Sequence, residues 1–266
     1  MPQRCVSPAV GVDGCRAGWV CAVAAANGLS VRVVADFDAV WDLARECDAD
    51  RVLVDIPIGL PDAARRACDR EARERLGSRA ATVFFAPVRA ALGADTHEAA
   101  SAANRERTGF GLSIQAWHLV PKIREVDGVL RQTPRARQRV FESHPELAFA
   151  AFAGEPLSEP KSTPEGRARR LDVLRRASAG SEVVGDGDDR SEDATDQPEF
   201  DAERAYRETL DRTLRRDVAR DDVLDALVLA AAARRPLATL PSDPPTDAVG
   251  LEMAIRVPRV ALGSES

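Results

Sequence analysis

At 266 residues and 44% hydrophobic content, the chain is long enough for one large domain, or for a core domain carrying a helical insertion. A net charge of −6 excludes bulk electrostatic attraction to nucleic acid, and no run approaches the roughly 18 apolar residues of a membrane span. Residues 1–8 do not read as a signal peptide, and the five cysteines are odd in number and lack a C-x-x-C pair. A disulfide framework or zinc site is therefore not expected, and a soluble cytoplasmic protein with buried apolar cysteines is.

In chain order, residues 6–13 read as an apolar strand ending in Gly-Val-Asp-Gly, followed by strands over 19–25 and 29–37 joined by a hairpin turn at 26–28. Asp38 is expected to cap a helix running to about residue 47, with Val40, Leu43 and Ala44 on its apolar face. Residues 51–56 form a short buried strand stopped by Pro57. The order is β-β-β-α-β, and the first and fourth strands both end in an aspartate. The spacing then predicts a charged helix over 62–76 and apolar-studded segments over 84–92 and 104–130, the latter broken by Gly109 and Gly111. This stretch is too long for a simple crossover, so residues 62–138 read as a helical insertion or cap.

Strand character returns at 139–143, then helix at 145–152, a basic helix at 161–176, helices at 201–216 and 221–235, and an edge strand at 250–257. Residues 178–198, rich in Gly, Asp, Glu and Ser, have little to bury and read as a mobile acidic loop. The core thus comprises residues 1–61 and 139–262.

Carboxylates stand at the ends of buried elements in four places: Asp13, Asp55, Glu142 and the pair Asp222/Asp225. The strand ends of a parallel α/β sheet converge on one crevice, and Asp222 and Asp225, three apart, share a helix face. Crowded carboxylates raise one another's pKa unless a counter-charge is supplied. Two Mg²⁺ or Mn²⁺ ions would supply it, since oxygen-only ligation suits hard cations. Each acid also has a plain structural reading. Asp13 and Asp55 could be turn formers, Asp221 and Asp222 could complement the helix dipole, and a buried Glu142 needs some partner.

The residues carry a resemblance. Gly11-Val-Asp-Gly-Cys-Arg-Ala-Gly-Trp19, Val54-Asp-Ile-Pro-Ile-Gly59, Arg66-Ala-Cys-Asp-Arg-Glu-Ala-Arg73 and Val83-Phe-Phe-Ala-Pro87 are joined by three later motifs. These are Pro121-Lys-Ile-Arg-Glu-Val-Asp127, Phe141-Glu-Ser-His-Pro-Glu146 and Asp221-Asp-Val-Leu-Asp-Ala226. Together they resemble the DUF429 family of predicted RNase H-like nucleases, with the acidic loop left unmatched. The resemblance implies an α/β RNase H-like mixed sheet, three antiparallel strands followed by parallel ones, with helices on both faces. It also implies metal-dependent phosphodiester hydrolysis on a nucleic acid or nucleotide substrate. In this reading Asp13 bridges the metals, Asp55, Glu142 and Asp225 complete the ligands, and Asp222 is an alternate.

Supporting roles fall to Glu146, His144 and Lys122. Glu142, His144 and Glu146 would share one face of an extended segment. Lys122 is one of two lysines in an arginine-biased chain, the other being Lys161. Arg16 could meet a phosphate or pair with a carboxylate. The run Arg131, Arg135, Arg137 and Arg139 could grip phosphates, as could the stretch from Arg167 to Arg176. Two rival readings stay open: an actin-like or sugar-kinase phosphotransferase, whose first turn is also Asp-Gly, and a non-catalytic binding module. Oligomeric state is not legible in the sequence.

Overall fold

The computed structural model describes residues 7–179 and 200–259. Strands β1 (Ala9–Cys15), β2 (Gly18–Ala25) and β3 (Gly28–Val34) form an antiparallel meander. A two-residue turn joins β2 to β3, with Ala25 opposite Gly28, as the turn residues predicted. Helix α1 (Phe37–Glu46) crosses to β4 (Arg51–Val54), which pairs parallel to β1; its N-cap is Asp36, whose side chain accepts the Ala39 N–H, rather than Asp38. Strand β5 (Val140–Glu142) pairs parallel to β4. The five-stranded order is β3-β2-β1-β4-β5, the RNase H-like mixed sheet.

Between β4 and β5 lie α2 (Ala67–Leu76), α3 (His97–Thr108), α4 (Ile114–Gln132) and α5 (Pro134–Arg139). After β5 come α6 (Pro145–Ala153), α7 (Pro164–Ala179), α8 (Ala202–Arg212), α9 (Arg220–Ala233) and a hairpin of β6 (Leu237–Leu240) with β7 (Ile255–Pro258). Helical periodicity is broken at Gly109, whose positive φ closes α3 in a left-handed cap.

Alternation along the strands sorts the core into two layers. Val10, Val12, Trp19, Cys21, Val52 and Val54 pack with α1 and α4 on one face. Ala9, Val20, Ala22, Leu53 and the partly buried Phe141 pack with α6, α8 and α9 on the other. The expected separation of residues 62–138 as an insertion or cap does not match this packing. Ile123, Val126, Val129 and Leu130 of α4 are core residues against the sheet, while α2 packs on α6 and the β6–β7 hairpin and α3 packs on the first turns of α4. The expected edge strand near the C-terminus is β7, but its main partner is β6, which the sequence did not announce; a single bridge, Ser143 to Arg256, ties the hairpin to the end of β5. The acidic segment expected to be a mobile loop lies almost entirely outside the described residues.

Helix α9 runs against β1 at close range because of one residue. A methyl group at Gly11 would stand 2.1 Å from both Ala226 O and Ala230 N, so only glycine lets the helix backbone rest on the strand. That contact sets the height of the first turns of α9 above the end of β1.

Candidate active site

Asp13 follows Gly11 on the α9 side of β1, and Asp55 continues β4 on the same side, its N–H donating to Val12 O at 3.0 Å. Asp222 and Asp225 descend from α9 toward them, and all four acids border one cavity of about 590 Å³. Asp225 is 1% exposed, while Asp13 and Asp55 keep some surface open to the cavity. The Asp13 carboxylate accepts the Gly14 N–H at 2.8 Å, and that of Asp222 accepts the Ala219 N–H at 2.8 Å.

The electrostatics follow from this crowding. Burial, then the charges of Asp225, Asp55 and Asp222, hold the Asp13 carboxyl well above the usual carboxylate range. Burial also raises Asp55, against the pull of His144 and Lys161, and raises Asp225, against the Lys161 ammonium. Asp222 is pushed up to about 6, by burial first and by Asp221, with the Ala219 N–H opposing. Lys161 arrives from the loop before α7. Its Nζ donates to Asp225 Oδ2 at 2.5 Å and stands 3.7 Å from Asp221 Oδ2. Burial works against that ammonium, yet the neighbouring carboxylate holds it above the ordinary lysine range. The second oxygen of Asp225, Oδ1, is buried with no hydrogen-bond partner.

One pH dependence is a direct consequence. An acid whose folded pKa exceeds its unfolded value binds its proton more tightly in the folded chain, so stability falls as pH rises between the two. For Asp222 that window runs from its ordinary value of 3.8 to about 6, and the stability stays reduced above it. Asp222→Asn keeps an oxygen for the Ala219 N–H and removes the titration. The melting temperature at pH 7.5 relative to that at pH 4.5 is expected to be higher in Asp222→Asn than in the wild type; the same relative value in both would show that Asp222 titrates as in solvent.

Glu142 does not join the aspartates, although it borders the same cavity. The β4–β5 register sets it beside Val54, on the face opposite Asp13 and Asp55. There it accepts two bonds from Arg66, both at 2.7 Å, and the Ile58 N–H at 2.7 Å. Its side chain is thus held as the buried partner of an arginine and turned away from the aspartates. The expected extended face of Glu142, His144 and Glu146 is also absent, since the chain turns into α6 at Pro145. Glu146 is paired with the fully buried Arg170 at 2.6 Å, though its charge is still felt at Asp55 and Asp225. His144 borders the cavity with Nε2 at 3.3 Å from Thr82 O and a buried, unpartnered Nδ1.

Lys122 lies beside the Asp13-Gly14 turn, but its ammonium donates to Gly18 O at 2.6 Å and sits 4.2 Å over the Trp19 ring. Arg16 is exposed on the cavity wall.

The run of arginines expected to grip phosphate is at the other end of the sheet, because it precedes β5 whereas Asp13 and Asp55 stand at the C-terminal ends of β1 and β4. Arg139 bonds Asp48 and Ala49 O beside the start of β4, Arg137 bonds Leu130 O and Arg131 O, and Arg131 pairs with Asp127. Arg135 is exposed in the same helix, α5. In the second basic stretch, Arg170 holds Glu146, and Arg169, Arg175 and Arg176 pair with Asp172. The arginines that do reach the cavity besides Arg16 and Arg66 are Arg215 and Arg216, exposed in the loop leading to α9. Phe84 and Phe85 form its aromatic wall, and Phe84 is 41% exposed.

The donor set suits a hard divalent cation in chemistry, being carboxylate oxygens, and the orphaned Asp225 Oδ1 is an acceptor without a donor. Among the described residues, however, no three His, Cys, Asp or Glu side chains are drawn together tightly enough to coordinate an ion as they stand. Lys161 occupies part of that space.

A family model described as "Protein of unknown function (DUF429)" matches residues 11–246. No curated protein and no solved structure matches the chain.

Proposed function

This chain belongs to the DUF429 family, and from that premise we propose that it is a metal-dependent phosphodiesterase of the RNase H-like class, acting on a nucleic acid or nucleotide. The observation that carries the reading is the convergence of Asp13, Asp55, Asp222 and Asp225 on one cavity floor, with a buried acceptor of Asp225 left unpaired. A bound Mg²⁺ or Mn²⁺ would supply Lewis acidity toward a phosphoryl oxygen.

The chain's own residues supply the rest. Asp13, Asp55 and Asp225 offer the anionic oxygens, with Asp222 at the edge of the group and held to the start of α9. Arg16, Arg215 and Arg216 line the cavity with charge suited to phosphate oxygens. Phe84, 41% exposed, gives a nucleobase a flat surface. A cavity of about 590 Å³ falls in the range of small-ligand sites, so a strand end or free nucleotide fits this site better than an intact duplex.

ATP-dependent phosphotransfer is the weaker reading, resting on the Asp13-Gly14 turn alone. A phosphate would have to nest in the β1–β2 turn, where Lys122 covers Gly14 and is bonded to Gly18 O. No helix among the described residues is long and apolar enough to cross a membrane; a cytoplasmic location is part of the proposal.

The test is a Mn²⁺-dependent cleavage assay on single-stranded, duplex, hybrid and four-way-junction substrates, with dinucleotides and cyclic nucleotides alongside. Cleavage that EDTA abolishes is expected, with short or single-stranded substrates preferred. Failure to turn over any phosphodiester, together with no rise in melting temperature on adding Mn²⁺, would leave the binding-module reading in its place.

A further inference from the structure

We infer that Lys161 stands in for a second metal ion, so that this site takes one divalent cation rather than the two that crowded carboxylates suggest. The inference rests on the metal-dependent reading above and concerns how the charge is shared. The two oxygens of Asp225 have different fates. Oδ2 is taken by the Lys161 ammonium at 2.5 Å, and Oδ1 is buried with nothing bound to it. An ammonium and a divalent ion cannot share Oδ2 at such a distance without strong repulsion, so Oδ1, the oxygen without a partner, is the one left to an ion.

The position of Lys161 is built in. Arg170, with no exposed surface, donates to Glu159 O at 3.0 Å and to Glu146 at 2.6 Å, fixing the chain two residues before the lysine. Pro160 O accepts both the Thr163 N–H and the Thr163 hydroxyl at 3.0 Å. Gly166 packs so tightly there that a methyl group would meet Pro160 O at 2.0 Å. The Lys161 side chain is therefore presented from a tight, hydrogen-bonded turn. Its charge reaches beyond Asp225, since it opposes the repulsion at Asp13 and Asp55 as well.

Composition points the same way. The chain has 37 basic residues, of which two are lysines, and both of these line this cavity. A guanidinium is a broad planar fork, whereas an ammonium is a compact point charge of the size that can replace a metal ion among carboxylates.

The experiment is a count of Mn²⁺ bound per chain by titration calorimetry, on wild type, Lys161→Met and Lys161→Arg, each first checked for cooperative unfolding. One ion is expected in the wild type and in Lys161→Arg, and two in Lys161→Met. Two ions in the wild type, or a single ion in folded Lys161→Met, would overturn the inference while leaving metal dependence intact. No ion in the wild type or in Lys161→Met would remove the metal-dependent reading and this inference with it. Should Lys161→Met fail to fold, the wild-type count still decides.

Discussion

Asp13→Asn is expected to lower phosphodiester turnover by on the order of 10³-fold or more and to leave the melting temperature unchanged or raised. The asymmetry follows from what the side chain does in the folded chain. The Asp13 oxygen accepts the Gly14 N–H, and an asparagine oxygen can take the same bond. What is lost is the negative charge, which burial and the charges of Asp225, Asp55 and Asp222 all disfavour. Removing it relieves repulsion and at the same time removes a ligand from the proposed cation. Asp225→Asn should show the same loss of turnover with a different stability signature, because it deprives the Lys161 ammonium of its closest partner. A stabilised, inactive Asp13→Asn beside a destabilised, inactive Asp225→Asn would separate a functional carboxylate from one that also pairs. Full turnover in Asp13→Asn would end the assignment of that residue.

The aspartates were legible because their signals are local. Gly-Val-Asp-Gly after an apolar strand, and two acids three apart on a helix with an apolar opposite face, need no knowledge of tertiary packing to be placed at element ends. Glu142 was placed on the wrong side for a reason specific to strands. Its strand has three residues, and its face depends on whether it pairs with Val54 or with Asp55. A shift of one residue reverses the face, and no pattern in so short a segment fixes the register.

The arginines before β5 were misplaced for a related reason, since proximity in sequence to Glu142 does not say which end of the sheet they occupy. Lys161 reaches Asp225 across 64 positions, and no periodicity signals such a contact. Its rarity in an arginine-rich chain was the available sign. Arg66 was hidden in a stretch that reads simply as a charged helix; the stretch is solvated in part, but Arg66 and Asp69 are 3% and 1% exposed.

Arg66→Met should be strongly destabilising, costing about 3–5 kcal/mol, or roughly 10 °C in melting temperature. The guanidinium bonds both oxygens of Glu142, both of Asp69, and the carbonyls of Ile58 and Gly59. Methionine fills similar volume but leaves two carboxylates buried without a cation. Even with Arg66 present, burial lifts Glu142 to about 7. Without it the folded-state pKa must rise further, so the deficit should be larger at pH 8 than at pH 5, where Glu142 can take up a proton.

Glu142→Gln is the matching control. It keeps an acceptor for Arg66 and leaves the Arg66–Asp69 pair, so it should cost clearly less than Arg66→Met and show little of that pH dependence. The two variants also bear on function, because the Ile58 N–H on Glu142 and the Leu60 N–H on Asp247 anchor the segment that follows Asp55. If Arg66→Met proves as stable as the wild type at pH 8, the buried pair is not what holds that segment. The position of Asp55 would then be set by the β1–β4 ladder alone.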